Sequence, residues 1–272
     1  MRVPAPRDRE DRLSVSPLEL TLLVGAAFCA ATVDAIAGGG GLLTVPALLA
    51  VGLPPHAVLG TNKGQAMFGS LAAIFRYRHA GLLDVRAAAY TFPLGFAGSF
   101  AGTALALRIA PRLLGPVILV LLILAGALVV FVRPRSNAVA AFPPRHAALG
   151  MAAAALTIGA YDGFFGPGTG TFLIVAFVAL AGRTLARASA DAKVVNFASN
   201  VAAALLFAWH GVVHWEISLP MAGANLAGGF LGAHLAVRRG DRFIRGVVFL
   251  VVLALVVKVA RDMLVEGAAH VR

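Results

Sequence analysis

The chain has a single cysteine and few charged residues. Cys29 is that cysteine, so a disulfide framework and a cysteine-rich metal site are both excluded. Charged residues make up 13% of the 272 residues, about half of the share found in ordinary soluble domains. Apolar residues make up 60%, well above the soluble average. The composition therefore predicts a membrane protein.

Acidic residues are also few, and the basic excess gives a net charge of +11. In a soluble domain such a charge would indicate nucleic-acid binding. Here the arginines lie mainly in short connections between apolar runs, as the topology signals of membrane proteins do. We therefore expect a lipid bilayer around the chain and no nucleic-acid partner.

The chain lacks the motifs of nucleotide-binding and hydrolytic proteins. The glycine run at 38–41 is not followed by the Gly-Lys-Ser/Thr of a phosphate-binding loop. No spacing of side chains indicates a metal site or an activated nucleophile. The sequence thus predicts neither an enzyme nor a bound cofactor or metal.

Long apolar runs recur from Leu18 to the C-terminus. A helix needs about 20 apolar residues to cross the hydrocarbon core. Lipid offers the backbone no hydrogen-bond partner, and the runs lack the alternation of barrel strands. We therefore predict an all-α integral membrane protein that crosses the bilayer several times.

An internal repeat runs through the apolar part of the chain. Residues of the first half recur in the second at a constant offset of 130 residues. Internal repeats whose hydrophobic segments are interrupted by glycine at matching positions are typical of secondary transporters and point to the binding site. The matching pairs are Gly38 and Gly168, Gly40 and Gly170, Gly52 and Gly182, Lys63 and Lys193, Gly81 and Gly211, Gly98 and Gly228, Gly102 and Gly232, and Arg108 and Arg238.

Each predicted repeat contains five apolar segments, a to e, which gives 8 to 10 transmembrane segments in all. A polar, disordered tail at 1–16 precedes the first repeat at 17–132; a connection at 133–145, the second repeat at 146–264 and a tail at 265–272 follow. The segments are 17–37, 41–53, 61–79, 86–107 and 112–132, and then 146–164, 170–181, 191–209, 216–237 and 243–262.

Segment b is short in both repeats and follows a cluster of glycines. About 13 residues span only some 20 Å as a helix, so segment b cannot cross the bilayer alone. We predict that it is a half-helix entered through a non-helical loop, which is tolerated at membrane depth where it lines a polar cavity. The alternative is that these glycines, like the small-residue face of segment d, only permit close helix packing.

The basic connections predict the orientation of the repeats. If segments a and b count as two crossings, the second repeat is inverted, and among the basic residues of the connections only Arg108 and Arg112 fall on the outer side. Both basic tails would then also lie outside, which argues against this orientation. If segment b enters and leaves on one side, the copies run parallel and both basic tails lie inside. We favour inversion with an outer N-terminus.

Four charged residues lie within or at the start of apolar segments: Asp34, Lys63, Asp162 and Lys193. Charge inside a membrane is costly and marks candidate functional residues. The lysines would attract an anion beside the half-helix N-termini, unless they extend to the membrane surface. Asp34 and Asp162 are candidates for proton coupling, because burial favours a neutral carboxyl and a nearby lysine a charged one. Each could equally cap a helix or pair with a lysine.

Polar residues around the two lysines complete the predicted substrate site. Asn196 and Asn200 are four residues apart, so they share a helical face with Lys193. The predicted substrate-binding residues are Gly38, Gly39, Gly40, Gly41, Thr61, Asn62, Lys63, Gly166, Gly168, Thr169, Gly170, Lys193, Asn196, Ser199 and Asn200.

Two pairs of motifs resemble a known family. The first repeat has Asp-Ala-Ile-Ala-Gly-Gly-Gly-Gly-Leu-Leu-Thr-Val-Pro at 34–46 and Gly-Thr-Asn-Lys at 60–63. The second has Gly-Phe-Phe-Gly-Pro-Gly-Thr-Gly-Thr-Phe at 163–172 and Ala-Lys-Val-Val-Asn-Phe-Ala-Ser-Asn at 192–200. The chain thereby resembles the sulfite exporter TauE/SafE family, also called the 4-toluene sulfonate uptake permease family. The resemblance implies a carrier of bacterial inner membranes for sulfite, organosulfonates or related sulfur-containing anions.

Together these features predict a secondary transporter that moves a small anion by alternating access. An anion channel and a membrane scaffold without transport activity are the alternatives. The expected partners are the small anion, the lipid bilayer and a second copy of the chain in a homo-oligomer. A shared fold does not identify the transported molecule.

Overall fold

The computed structural model describes residues 15–131 and 143–269, and within these ranges the chain forms nine α-helices and no strand. The predicted all-α class is confirmed. The predicted disordered tail lies outside the described residues except for positions 15 and 16, as does most of the predicted connection. The helices are α1 (Pro17–Ala37), α2 (Gly41–Ala50), α3 (Pro55–His79), α4 (Val85–Arg108), α5 (Pro111–Phe131), α6 (Pro144–Phe164), α7 (Thr169–Ala181), α8 (Leu185–Trp209) and α9 (Trp215–Ala269).

Several helix ends differ from the predicted segment ends. Helices α3 and α8 begin at Pro55 and Leu185, so the predicted starts at 61 and 191 are six residues too late. Proline suits the first helical turn, and the Thr184 side chain caps α8 by accepting from a backbone N–H. Helix α6 begins inside the predicted connection, and α9 continues into the predicted C-terminal tail. Helix α9 contains a kink at Gly240, where φ is 66°.

Four of the described helices are long and apolar enough to cross a membrane: Pro17–Ala37, Pro111–Leu128, Pro144–Phe164 and Leu185–Trp209. Helices α3 and α4 are also long, with 25 and 24 residues, but carry more polar side chains. Exposed leucines along α5, such as Leu119 and Leu124, form an apolar outer surface that suits lipid. The chain is a multi-pass membrane protein.

The two short helices fold back on their predecessors, so that α1 with α2 forms a first hairpin and α6 with α7 a second. In the first hairpin, Leu23 and Leu48 belong to one apolar cluster. In the second, Leu180 lies 3.2 Å from where a Cβ on Gly150 would be, so α7 returns along α6. Helices α2 and α7 have only 10 and 13 residues, as the predicted half-helices require.

Glycines form the tips of both hairpins, and the tips meet inside the protein. Gly38 and Gly39 turn the first tip with φ of 79° and 91°, and Gly166 and Gly168 turn the second with φ of 103° and 88°. These angles favour glycine because other residues rarely adopt them. Gly38 also lies against the backbone of Gly170 with no room for a Cβ. The prediction of two broken helices at the glycine clusters is confirmed.

The long helices α4 and α9 pack against the hairpins through glycine. Gly98 and Gly102 of α4 lie against backbone carbonyls of α6, and Gly228 and Gly232 of α9 lie against those of α1. In each case a Cβ would collide with a carbonyl oxygen, so only glycine permits this approach. The predicted packing role of the small-residue face of segment d is confirmed.

Candidate functional site

A polar cavity lies where the two hairpin tips meet α3, α8 and α9. Its volume is about 40 Å³, and roughly 10 to 15 Å³ of such space holds one water molecule. The same helices contribute buried residues to two large apolar clusters. The cavity therefore offers polar groups to a small molecule within an otherwise apolar protein.

Most of the predicted site residues line this cavity. Both aspartates do, and so do ten of the predicted substrate-binding residues. Those ten are Gly39, Gly40, Gly41, Asn62, Lys63, Gly166, Thr169, Gly170, Asn196 and Asn200.

The five other predicted residues lie close by but not on the cavity wall. Gly38 packs on the second hairpin, Gly168 precedes α7 in a left-handed conformation, and Lys193 is fully buried. The Ser199 hydroxyl donates to Asp162 Oδ2. The Thr61 hydroxyl accepts from the backbone N–H of His214, the residue before α9.

Each buried lysine pairs with the aspartate of the hairpin in the other half of the chain. Lys63 Nζ lies 2.6 Å from Asp162 Oδ1, and Lys193 Nζ lies 2.7 Å from Asp34 Oδ2. The lysine side chains are 2% and 0% exposed, which excludes the alternative that they reach the membrane surface. Pairing with a lysine, one of the predicted roles of the aspartates, is therefore present in both halves.

The N-termini of the two half-helices add a positive electrostatic potential to the cavity. Gly41 opens α2, and Thr169 and Gly170 open α7, and all three line the cavity. The first N–H groups of a helix lack partners within that helix, and its dipole favours negative charge there. Since the two lysines and two aspartates cancel, these dipoles favour an anion without adding net charge.

Three polar residues of the cavity wall were not among the predicted ones: Thr44, Gln65 and Asn225. Thr44 Oγ1 and Gln65 Nε2 both donate to Asn62 Oδ1, at 2.6 and 3.1 Å, and Asn225 Nδ2 donates to Gln65 Oε1. Asn225 has no counterpart in the repeat, because Gly95 stands at the matching position. An amide within an apolar, glycine-rich segment was the available signal.

One amide of the cavity wall has an unpaired atom. Asn196 is buried, yet its Oδ1 has no hydrogen-bond partner in the part of the chain that the structure describes. Buried polar groups are nearly always paired, and a carboxamide can turn to present its oxygen or its nitrogen. Asn196 is therefore available to a bound molecule.

The fold and this site define the class of protein: a multi-pass helical membrane protein with two broken helices around a central polar cavity. Residues 23–259 match the model of the sulfite exporter TauE/SafE family. The chain belongs to that family.

Three relatives support this membership. The chain is 37% identical to "Probable membrane transporter protein ORF9" of Sinorhizobium sp, over 89% of this chain and 93% of the relative. It is 35% identical to a "Probable membrane transporter protein" of Haemophilus influenzae, over 89% and 95%. It is 34% identical to "Probable membrane transporter protein YfcA" of Escherichia coli, over 91% and 92%. No solved structure matches the chain.

Proposed function

We propose that this protein is a secondary transporter that moves a small anion across the bacterial inner membrane by alternating access. The observation that carries the proposal is the central cavity, whose wall contains two half-helix N-termini and both ion-paired hairpins. Half-helix N-termini at mid-membrane depth are a recurring means of holding anionic groups in transporters. Relatives named as probable membrane transporters agree with this activity.

We propose further that the two halves are inverted repeats, as the packing supports. Leu23, near the start of α1, belongs to the same apolar cluster as Phe207, near the end of α8. Met151, near the start of α6, belongs instead to the cluster of Tyr77, near the end of α3. The hairpins thus enter from opposite ends of the molecule, which suits a carrier whose cavity opens alternately to either side.

The substrate that best suits this site is sulfite, an organosulfonate or a related sulfur-containing anion. The cavity volume of about 40 Å³ corresponds to roughly three water molecules, which favours a compact ion. Lys63 Nζ and the N-termini of α2 and α7 would contact the anionic oxygens. Asn62, Asn196 and Asn200 would orient them through their amides.

Sulfite flux into proteoliposomes that contain the purified protein tests this function. The double variant Lys63→Met/Lys193→Met should lose at least about 30-fold of the flux, because truncating one partner of a desolvated charge pair typically costs 2 to 5 kcal/mol. Arg78→Met, which removes an exposed cation at the end of α3, is the control and should transport normally. A folded double variant with unchanged flux would show that the cavity is not the site. Trans-stimulated exchange in the wild type would identify a carrier and not a channel.

A further inference from the structure

The two ion pairs occupy matching places in the two halves, but their carboxylates have different surroundings. Asp162 Oδ1 accepts from Lys63 Nζ and from Thr169 Oγ1, at 2.6 and 3.0 Å. Asp162 Oδ2 accepts from the Ser199 hydroxyl. Three side-chain donors from three helices therefore hold this carboxylate in place.

Asp34 is held by fewer groups. Its Oδ2 accepts from Lys193 Nζ at 2.7 Å, and its Oδ1 accepts from the backbone N–H of Gly40 at 3.2 Å. Neither a threonine nor a serine hydroxyl donates to it among the described residues. The Asp34 side chain is also 24% exposed, against 5% for Asp162. A proton can therefore reach Asp34 more easily, and its arrival disturbs fewer hydrogen bonds.

The two lysines also differ in their access to the cavity. Lys63 lines the cavity, so its ammonium can contact a bound anion while Asp162 stays in place. Lys193 does not line the cavity, but its partner Asp34 does. An anion in the cavity would therefore contact the carboxylate of the Lys193–Asp34 pair and not its ammonium group. Like charges within one small cavity repel each other.

We propose that Asp34 takes up a proton when the anion binds, whereas Asp162 remains charged and serves as a fixed structural ion. This inference rests on the proposed transport function and assigns its coupling residue. One hydronium ion of the aqueous phase gives its proton to the Asp34 carboxylate, which leaves a water molecule and a neutral carboxyl group and breaks the ion pair with Lys193. The charge of Lys193 then offsets that of a monovalent anion. Proton and anion leave together on the other side, so the cycle is an electroneutral symport.

The other groups around Asp34 leave this assignment intact. Lys193 faces it from α8, Lys63 and Tyr77 come from α3, and Asp162 lies across the cavity on α6. The Tyr77 hydroxyl is engaged, because it donates to the Ala35 carbonyl. The residues by which α2, α7 and α9 line the cavity are uncharged. Asp34 is therefore the one acidic group at the cavity that is both exposed to it and lightly held, among the residues that the structure describes.

Two flux measurements with radiolabelled sulfite in proteoliposomes test the assignment. The first measures accumulation driven by a pH difference of one unit at zero membrane potential, in the acidic range where sulfite is mainly the monovalent hydrogensulfite ion. A one-to-one symporter of that ion converts this difference into about a tenfold concentration ratio. The second measures exchange of internal for external sulfite at equal pH, which needs no net proton movement. Wild-type protein should show both activities.

Asp34→Asn should abolish accumulation, so that the concentration ratio falls to about one, while exchange continues at a reduced rate and loses its pH dependence. Asp162→Asn should impair exchange and accumulation together, because it loosens three hydrogen-bonded contacts at once. Glu216→Gln, at the surface, is the control carboxyl variant and should retain both. Accumulation by Asp34→Asn, or exchange without accumulation by Asp162→Asn, would overturn the assignment.

Asp34→Glu keeps the assignment testable if Asp34→Asn does not fold. It retains a titratable carboxyl group at a different position, so accumulation should persist with a displaced pH profile, and an unchanged profile would overturn the proposal. Failure of the transport function looks different, because wild-type protein would then neither accumulate nor exchange sulfite.

Discussion

At both ends of the helix bundle, a backbone N–H group at the start of a long helix donates to a side chain of a neighbouring helix, but the two acceptors differ in charge. At the Asp84 end, where α4 begins, the Asp84 N–H donates to Asp191 Oδ1 of α8 at 3.0 Å. At the His214 end, where α9 begins, the His214 N–H donates to Thr61 Oγ1 of α3 at 3.1 Å. These residues stand at matching positions of the two predicted repeats, 130 residues apart. One acceptor is a carboxylate and the other is a neutral hydroxyl.

Arginine accounts for the difference. Arg183 pairs with Asp84 and lies 3.5 Å from Asp191 Oδ2, whereas the position that matches Arg183 in the first half is Leu53, which is buried in an apolar cluster. The helix junction thus needs a side-chain acceptor for one N–H group, and either an ionic or a neutral acceptor provides it. The two ends share the hydrogen-bond geometry, whereas the charge of the acceptor and of its neighbours differs.

The ionic end also contains a perturbed titratable group outside the membrane-spanning segments. Burial acts to raise the pKa of the Asp84 carboxyl, but hydrogen bonds from Arg183 and from the N–H groups of Ala87 and Arg86 outweigh it and hold the pKa below its ordinary value. Burial likewise acts to lower the pKa of Arg183, and the two carboxylates outweigh it and raise that pKa. The Asp84 end is therefore sensitive to acid.

Arg183→Leu should have the largest effect. It places a leucine where the His214 end has Leu53, but it keeps the charged Asp191 as the acceptor instead of a neutral threonine such as Thr61. The Asp191 carboxylate, which is 3% exposed, then loses its cation, and the free energy of unfolding should fall by about 3 kcal/mol. Unfolding in mixed detergent micelles measures this loss.

The double variant Arg183→Leu/Asp191→Thr is the matched control. It transplants the neutral chemistry completely, since the new hydroxyl can accept from the Asp84 N–H as Thr61 accepts from His214. Stability should return to within about 1 kcal/mol of wild type. A double variant no more stable than Arg183→Leu would show that the two ends are not interchangeable.

Thr61→Val should have a smaller effect at the His214 end. It preserves the shape of the side chain but removes the acceptor of the His214 N–H, which costs about 1 kcal/mol in the same unfolding measurement. Thr61→Ser keeps the hydroxyl and should stay near wild type. Equal stability of Thr61→Val and wild type would mean that this hydrogen bond does not hold the junction.

The sequence predicted the helical class, the two broken helices and the glycine tips, because apolarity and positive-φ glycines are local properties. It placed the starts of α3 and α8 too late, although Pro55 and the capping Thr184 were local signals for the true starts. Segments delimited by apolarity alone miss helix ends that are defined by caps.

The site was predicted less completely, because its pairing depends on tertiary structure. The repeat singled out Lys63 and Lys193, but the identity of each partner aspartate follows from which hairpin tip reaches each lysine. Asp191 is two residues from Lys193, which turns the two side chains to different faces of α8. One therefore serves the Asp84 end and the other the cavity region, a division that only the packed helices define.

Acid should reveal the smallest difference between the two ends. A carboxylate whose pKa is lowered on folding stabilises the protein above its ordinary pKa of about 4, and this stabilisation is lost as the pH falls towards the lowered value. Thermal unfolding in detergent should therefore show a larger loss of stability for wild-type protein than for Asp84→Asn as the pH falls from about 5 to about 3, the range around the ordinary aspartate pKa. Glu216→Gln alters an exposed carboxyl at the His214 end and should leave the acid sensitivity in place. Equal acid sensitivity in Asp84→Asn and wild type would show that other carboxyls dominate, and that the ionic junction adds no pH dependence of its own.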